Sequence, residues 1–330
     1  MNMPASLDAE AFRNQILERR ARLETASGAI SAGYLNELLK EIDSALARIG
    51  NGTFGLCETC HDPIESDRLQ ANPFVHFCLD HLSRSEAQAH EQDIELATQI
   101  QSRLLPPQTT TLHGWETHYQ YLSAGPVGGD YCEVIALDDG QSLFFAVGDV
   151  AGKGVAASLL MSHLNAIFRS LLSLQLPLAE VMLRANRLFC ESTSTSQYAT
   201  LVCGRASGSG IEFCNAGHCP PLLVRKSGIE RLDAPGLPLG LFCGGEYPLV
   251  HRELAEGDSL ILYSDGVTET QDPAGHEFGE DGLTRSLKRD AGSGVELFAR
   301  GILQDVEHFR AGGRPTDDVT LLVVRRRWAS

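Results

Sequence analysis

Two consecutive prolines, Pro106 and Pro107, divide this sequence into two parts with different hydrophobic patterns. Proline removes a backbone donor and clashes with the preceding turn, so a helix cannot continue through the pair. Before the prolines, apolar residues recur every three to four positions, which predicts helices at 7–24, 34–49 and 83–105. After the prolines, short apolar runs of strand length dominate, so this part belongs to a different structural class.

The second part contains predicted strands and two helical insertions. The insertions, at 154–194 and 281–310, each carry the pattern of two amphipathic helices. Antiparallel strands with separate helical insertions are typical of sheets that pack on each other and carry helices outside. We therefore predict an α+β fold, an α-β-β-α sandwich of two antiparallel sheets flanked by helices. Its strands are expected at 117–123, 131–136, 143–149, 198–206, 210–214, 221–225, 248–254, 259–264 and 318–325.

The predicted elements divide the chain into four segments. These are a helical hairpin at 1–50, a small cysteine-bearing module at 51–83, a linker helix at 84–107 and the sandwich domain at 108–330. The hairpin turn is expected at 26–31. The linker helix contains no flexible Gly/Ser tract. Its pattern is equally compatible with a dimeric coiled coil and with a helix that packs on its own domain.

Composition and charge narrow the class of partners. The net charge of −16 at pH 7 makes nucleic acid a poor partner. The N-terminal sequence MNMPASLDAEAF lacks the apolar stretch of a secretory signal, and no segment reaches 18 apolar residues. We therefore expect a cytoplasmic protein without a membrane segment. Six cysteines are scattered singly through 132–243, and they are expected to be buried small hydrophobes rather than disulfides.

Four aspartates stand at the edges of apolar runs, next to glycine or a second aspartate. They are Asp130 in VGGDY, Asp149 in LFFAVGDV, Asp265 in LILYSDGV and Asp317 in TDDVTLLVV. Each one alone is readily explained as a turn residue, because Asp bonds to the backbone there. Strand edges of a sandwich can also converge, and a cluster of carboxylates is what hard divalent cations prefer. Two such cations about 4 Å apart can activate water and bind a phosphoryl group.

These motifs occur in order with others along the chain. VGGDY, GDVAGKGVAASLLM, NAGHCPPLLV, GLPLGL, LYSDGVTE and TDDVTLLVV together resemble the sporulation-protein-E-type phosphatase domain, a bacterial branch of the type 2C (PPM) metal-dependent phosphatases. The preceding ELATQIQSRLLP is similar to the helix that leads into this domain, so the resemblance covers 94–326. It implies a protein-serine/threonine phosphatase with two Mn²⁺ or Mg²⁺ ions and a bridging hydroxide that attacks phosphoserine or phosphothreonine directly.

The resemblance also implies roles for individual residues of this chain. Asp149 would bridge the two ions, and the carbonyl of Val150 would add a ligand. Asp265 and Asp317 would bind one ion, and Asp130 would bind the other, partly through water. This donor set agrees with the chemistry of the metals, because Mg²⁺ and Mn²⁺ prefer carboxylate, carbonyl and water oxygens.

The sequence departs from the eukaryotic branch in two respects. The residues after Asp149 do not include the histidine that serves there as a proton donor, and the phosphate-binding arginine of that branch has no clear counterpart. Lys153 is a candidate phosphate contact, and the alternative is a solvated side chain. His218 in NAGHCPP is a candidate helper, and the alternative is a structural hydrogen bond in a loop.

Two C-x-x-[CH] pairs separated by 17 residues form a second candidate metal site. A Cys₃His set at this spacing closes a tetrahedron around zinc without an open position, so the ion would be structural. His61 and His76 lie nearby and are alternatives for the fourth ligand. A module of about thirty residues with few apolar side chains needs such a staple to fold. The expected ligands are Cys57, Cys60, Cys78 and His81.

Residues 40–82 resemble the DksA/TraR-type zinc finger with its preceding helix, except that His81 replaces the usual cysteine. Members of that family act on RNA polymerase. The first functional hypothesis is therefore a phosphatase that is controlled by its N-terminal part through the linker helix, and its substrate would be a phosphorylated anti-anti-sigma-type regulator. The second is a transcription-linked binding protein that acts through the zinc finger and has an inactive phosphatase fold. A third is a scaffold whose acids bind Ca²⁺. The presence of all four acids favours the first.

Overall fold

The computed structural model describes residues 9–25, 32–82, 84–194, 196–233, 236–290 and 293–327. These residues fall into two compact units, Met1–Ile94 and Glu95–Ser330. The turn expected at 26–31 lies outside the described residues. Helix α4 spans Arg84–Leu104 and ends before the two prolines, as their chemistry requires.

The N-terminal unit is helical and has a small core of its own. Helix α1 spans Ala9–Thr25, α2 spans Ala32–Gly50 and the short α3 spans Ser66–Ala71. A hydrogen bond of 2.9 Å from Arg20 to Asp43 joins α1 to α2. The amphipathic pattern of α2 is explained by this core, because its apolar residues face α1 and the cysteine module. The buried core residues are Ile16, Ile42, Ala45, Phe54, Cys57, Ile64, Leu69 and Cys78.

The C-terminal unit contains two antiparallel sheets within the described residues. Their strands are β1 Thr109–Leu112, β2 Trp115–Leu122, β3 Tyr131–Ala136, β4 Leu143–Val150, β5 Ala199–Ser207, β6 Gly210–Ala216, β7 Leu222–Arg225, β8 Gly228–Arg231, β9 Val250–Glu253, β10 Ser259–Tyr263 and β11 Val319–Arg326. One sheet has the order β1-β2-β11-β10-β7-β8 and the other β3-β4-β5-β6-β9. The hydrophobic pattern misses β1 and β8, which have four residues each and lie at the two edges of the six-stranded sheet.

The remaining helices cover the outer faces of the two sheets. Helices α5 (Gly154–Leu172) and α6 (Leu178–Ser192) pack on the five-stranded sheet, and α8 (Gly279–Asp290) and α9 (Val295–Arg310) pack on the six-stranded sheet. A four-residue helix, α7, spans Asp265–Thr268. The predicted α-β-β-α sandwich is therefore confirmed.

Strand β4 shows why its sequence is apolar without interruption. Phe144 and Ala146 belong to the core beneath α5 and α6, whereas Phe145 and Val147 belong to the core between the sheets. Successive side chains of a strand point to opposite faces, so a strand covered on both faces must be apolar at every position. The same arrangement applies to β11.

Helix α5 is long and apolar enough to cross a membrane by length and composition, and half of the tested window is buried inside the protein. Its buried residues include Met161, Leu164 and Phe168, which pack in the core over the five-stranded sheet. The helix is thus accounted for as the inner helix of a sandwich layer.

Candidate functional site

Two of the predicted acids lie side by side at one end of the five-stranded sheet. Asp130 directly precedes β3, and Asp149 is the penultimate residue of β4. The antiparallel register pairs Tyr131 with Gly148, so the residues that flank this pair, Asp130 and Asp149, are neighbours across the two strands. The glycine-aspartate motifs of the sequence are thus the start of one strand and the end of the next.

The other two predicted acids hold the equivalent positions in the six-stranded sheet. Asp265 follows β10 as the first residue of α7, and Asp317 precedes β11. The register of these antiparallel neighbours pairs Tyr263 with Leu321. The end of β10 and the start of β11 therefore meet at the same edge.

Hydrogen bonds join these two ends across the sandwich. The Thr320 hydroxyl of β11 donates to Asp130 Oδ2 at 2.5 Å. The backbone N–H groups of Gly129 and Ala124 donate to the two carboxylate oxygens of Asp318 at 2.7 and 2.8 Å. These bonds join the strand ends that carry the four predicted acids, and we call this edge, with Asp130, Asp149, Asp265 and Asp317, the acidic rim.

The acids of the rim perturb one another. Burial, followed by the charges of Asp265 and Asp317, raises the pKa of Asp149 to about 7. Burial also raises the pKa of Asp265, with a further contribution from Asp317. The almost completely buried Asp130 has a pKa well above its ordinary value, chiefly because of burial. Carboxylates that disfavour one another's ionisation are stabilised by a cation placed among them.

Lys153 contacts the rim directly. It lies between β4 and α5, and its ammonium group donates to Asp317 Oδ2 at 2.9 Å and to the carbonyl of Thr316 at 3.0 Å. The hydrogen bond with Asp317 raises the pKa of Lys153, so the side chain stays charged. It is also 68% exposed. The ammonium therefore lies beside the acidic rim and is open to solvent.

Asp318 is a structural residue of the rim that sequence reasoning missed. Its carboxylate is buried and accepts the two backbone bonds described above. A Cβ added at Gly128 would collide with this carboxylate, and one added at Gly266 would collide with the Asp318 carbonyl. The glycines of the VGGDY and LYSDGV motifs thus make room for Asp318. The second aspartate of the TDD motif was the available signal.

His218 has the surroundings of a structural residue. Its ring Nδ1 lies 2.8 Å from the Thr200 hydroxyl, and the Asn215 side chain bonds both to its backbone N–H and to its carbonyl. Burial lowers the pKa of His218 to about 4, so the ring is neutral at pH 7. These contacts agree with the structural alternative for this histidine and make it a poor proton donor.

Gln101 of α4 is a second residue that the pattern analysis missed. Its side-chain amide donates to the Gly128 carbonyl at 2.7 Å, and the Gly128 N–H donates to its oxygen at 3.1 Å. Gln101 is buried, although it lies in a helix of mostly polar residues. The pair of bonds attaches the end of α4 to the loop that carries Asp130.

The donor chemistry of the rim suits Mg²⁺ or Mn²⁺. Asp149, Asp265 and Asp317 supply carboxylate oxygens whose charges act on one another. Val150 directly follows Asp149 at the end of β4 and lies opposite Ala199. Hard divalent cations favour such oxygen donors and retain water as additional ligands.

The cysteine module brings together the second predicted ligand set. The donor atoms of Cys57, Cys60, Cys78 and His81 all lie within 4.8 Å of one another. Burial raises the pKa of Cys57, but backbone N–H groups of the module outweigh it and bring the pKa to about 6. A thiolate favoured at neutral pH, in a set of three sulfurs and one imidazole nitrogen, suits tetrahedral zinc.

The alternative histidines have other surroundings. His76 Nδ1 lies 2.5 Å from Glu58. Neither His76 nor His61 belongs to the close set formed by the described residues. Arg48 of α2 supports the module by donating to the carbonyls of Val75 and Leu56 at 2.8 and 3.0 Å.

Comparison with known families agrees with both sites. Residues 139–327 match the family model of Stage II sporulation protein E (SpoIIE), and residues 52–81 match that of the prokaryotic dksA/traR C4-type zinc finger. The first match includes three of the four predicted acids and begins after Asp130. The second includes all four candidate zinc ligands, with His81 at its last position.

Individual relatives show how much of the chain these similarities cover. Protein IcfG of Synechocystis is 25% identical over 264 residues, which are 71% of this chain and 41% of IcfG. Phosphoserine phosphatase RsbU of Bacillus subtilis is 27% identical over 251 residues, covering 74% of this chain and 73% of RsbU. The SiaA-PP2C domain of Pseudomonas aeruginosa has the same fold, with a TM-score of 0.65, 18% identity, and coverage of 74% of this chain and 99% of that domain.

The fold defines the class as that of the PP2C-type phosphatase domains, here combined with a segment that matches the DksA/TraR-type zinc finger. Both resemblances inferred from the sequence are confirmed. Within that class, the chain belongs to the Stage II sporulation protein E (SpoIIE) family.

Proposed function

We propose that this protein removes phosphate from phosphoserine or phosphothreonine of a regulatory protein, using two Mn²⁺ or Mg²⁺ ions held at the acidic rim. The observation that carries the proposal is the convergence of Asp149, Asp265 and Asp317 from separate strands, with the pKa of Asp149 raised to about 7 by burial and by its neighbours. Such a site gains most when it binds divalent cations.

In this proposal the residues of the rim have different roles as metal ligands. Asp149 would be a ligand of both ions and the Val150 carbonyl would add a further ligand. Asp265 and Asp317 would hold one ion, and Asp130 would hold the other, partly through water. When bound, the two ions would offset the negative charge of the phosphoryl group and lower the pKa of water, so that hydroxide is available to attack phosphorus. No nucleophilic side chain is then required.

Other residues of the chain support the same chemistry without binding the ions. Asp318 holds the Gly129 backbone beside Asp130, and Thr320 orients the Asp130 carboxylate. The Lys153 ammonium adds positive charge beside Asp317 and lies in an exposed position from which it contacts the substrate phosphate. Neutral His218 supports the loop next to β5. The leaving oxygen would therefore take its proton from water.

The substrate in this proposal is a phosphorylated protein regulator of the anti-anti-sigma type. The similarity to RsbU, which is described as a phosphoserine phosphatase, supports the class of substrate. The net charge of −16 argues against nucleic acid as a partner. We place the protein in the cytoplasm as a component of signal transduction, because α5, the helix among the described residues that has the composition of a membrane span, is half buried in the sandwich.

A test of the proposal measures hydrolysis of p-nitrophenyl phosphate and of phosphoserine proteins with and without Mn²⁺. We expect Mn²⁺-dependent turnover, and we expect D149N to lose at least about a hundredfold in rate because it removes charge from the shared ligand. The D149N protein should also retain phosphorylated partners in a pull-down. The absence of Mn²⁺-dependent turnover on every substrate would contradict the proposal.

A second candidate function is supported by the match of residues 52–81 to the dksA/traR zinc finger. In that case the chain acts as a transcription-linked binding protein and its phosphatase fold is inactive. Co-purification with RNA polymerase, together with a lack of phosphatase activity, would favour this function over the first.

The proposal also includes regulation of the phosphatase by the zinc module through α4. Gln101 near the end of α4 binds both backbone groups of Gly128, so a displacement of this part of the helix reaches the loop of Asp130. Leu96 and Ile100, four residues apart, are 56% and 50% exposed. Exposed apolar residues at this spacing favour dimerisation through the helix.

An insertion tests this regulatory role. Gly-Gly-Ser placed near Glu91 would interrupt α4 while leaving its contacts from Thr98 onward intact. We expect the insertion to change the effect of the N-terminal unit on phosphatase activity. We also expect a weaker dimer in sedimentation analysis. A protein whose basal and stimulated activities are both unchanged would refute regulation through the helix.

A further inference from the structure

A loop that follows β8 is attached to helix α6 through one buried side chain. The Asn186 amide donates to the Phe242 carbonyl at 2.8 Å, and the Gly240 N–H donates to the Asn186 oxygen at 3.0 Å. Asn186 is fully buried, so this attachment is shielded from water. We call residues 239–247 the α6 loop.

The attachment brings two cysteines together. Cys190 lies four residues after Asn186, which places it on the same face of α6 one turn further on. Cys243 directly follows Phe242, whose carbonyl Asn186 holds. Burial, followed by the neighbouring thiol of Cys243, raises the pKa of Cys190 to about 11. Cys243 is exposed and Cys190 is partly buried.

The α6 loop is also connected to the strands that carry the acidic rim. Leu239 exchanges two backbone hydrogen bonds with Ala199, at 2.9 and 2.8 Å. Ala199 lies opposite Val150 in the register of β5 and β4, and Val150 follows Asp149. The loop is therefore one strand away from the rim, and a covalent link at its other end would limit its movement beside the site.

We propose that Cys190 and Cys243 are a modification site, at which a peroxide forms a reversible intramolecular disulfide that fixes the α6 loop on α6. The proposal is independent of the phosphatase activity. The exposed Cys243 reacts first, because a thiol must be accessible to meet the oxidant. Cys190 then acts as the resolving thiol.

The chemistry balances in two steps. The Cys243 sulfur attacks one oxygen of hydrogen peroxide, so that an S–O bond forms, the O–O bond breaks and water leaves, giving a sulfenic acid. The Cys190 sulfur attacks the Cys243 sulfur, so that the S–S bond forms, the S–O bond breaks and a second water leaves. Overall, two thiols and one peroxide give one disulfide and two waters, and the sulfurs lose two electrons. Exchange with a small thiol reverses the reaction.

A second pair of cysteines serves as an internal control. Cys203 and Cys214 lie opposite each other on β5 and β6, with their sulfurs 3.8 Å apart. Their separation alone would allow them to react with each other. Both are buried in the core, and burial raises the pKa of Cys203 well above its ordinary value. Since peroxide cannot reach them, this pair should remain reduced while the proposed pair reacts.

The test treats the zinc-loaded full chain with hydrogen peroxide, blocks free thiols, and maps the peptides by mass spectrometry without reduction. We expect the peptides containing Cys190 and Cys243 to be linked, with the loss of two hydrogens from the intact mass, and we expect dithiothreitol to reverse both changes. In C243S the link should be absent and Cys190 should stay reduced. In C190S, Cys243 should be oxidised further or form adducts.

Hydrogen exchange tests the structural effect of the link. Amides of the α6 loop should exchange about tenfold more slowly in the oxidised wild type than in the reduced protein, with no such change in C243S. Wild-type Cys243 that is oxidised while Cys190 remains a free thiol would overturn the proposal. A linked protein with unchanged exchange in the loop would overturn the fixing of the loop.

Discussion

Asp317 and Asp318 are adjacent in sequence but have different surroundings, so alanine substitutions should separate stability from metal binding. Asp318 is buried and accepts two backbone bonds of 2.7 and 2.8 Å. A hydrogen bond to a charged acceptor contributes about 1.5–3 kcal/mol, so D318A should destabilise the C-terminal unit by about 3–5 kcal/mol. Asp317 is about half exposed and pairs with an exposed lysine, so D317A should change stability by about 0–1 kcal/mol.

Urea unfolding of the full-length variants measures this difference. Both tryptophans of the chain, Trp115 and Trp328, belong to the C-terminal unit, and Trp115 lies in the core between the sheets, so tryptophan fluorescence reports this unit even though the chain has two. D318A should shift the midpoint to lower urea, whereas D317A should keep the wild-type midpoint and lose Mn²⁺ binding. Equal midpoints for the two variants, or intact Mn²⁺ binding in D317A, would refute the distinct roles assigned to these residues.

Three further predictions follow from individual contacts. Glu133 is fully buried and receives bonds of 2.9 and 3.0 Å from Arg169, so E133Q should cost about 2–3 kcal/mol in urea unfolding, and a wild-type midpoint would show that the pair contributes nothing. The folded-state pKa of Asp149 is raised to about 7, so the protonated carboxyl favours the folded state. This contribution to stability is complete below pH 4 and is lost as the pH rises through 7. The melting temperature in buffer without Mg²⁺ or Mn²⁺ should therefore fall between pH 5 and 8, and an equal fall in D149N would contradict this assignment. C78S should lose zinc by atomic absorption without moving the Trp115 transition, and full zinc content would exclude Cys78 as a ligand.

The order of elements and the ends of the strands were accessible from the sequence. The apolar runs before Asp149 and Asp265 are continuous because both faces of their strands are covered, and the glycine beside each acid marks the strand end. The local signal therefore places each acid at an edge. It does not show which edges meet, because that depends on the pairing of β11 with β2 and β10.

Long-range contacts explain what sequence reasoning missed. Asp318 has no local signal of its role, since its partners Ala124 and Gly129 lie almost 200 positions earlier. Gln101 lies among mostly polar residues of α4, and its role depends on the backbone of Gly128, which is distant in sequence. Neither contact leaves a periodic pattern in the sequence, so neither could be found from spacing alone.

The central claim is that carboxylates from separate strands hold two dications at one rim, and electron paramagnetic resonance of the Mn²⁺-loaded full chain tests it most directly. Two Mn²⁺ ions that share Asp149 should give the spectrum of an exchange-coupled pair, and D149N should lose that coupling while still unfolding cooperatively by tryptophan fluorescence. A wild-type spectrum of isolated ions only, or a coupled signal unchanged in D149N, would contradict the claim.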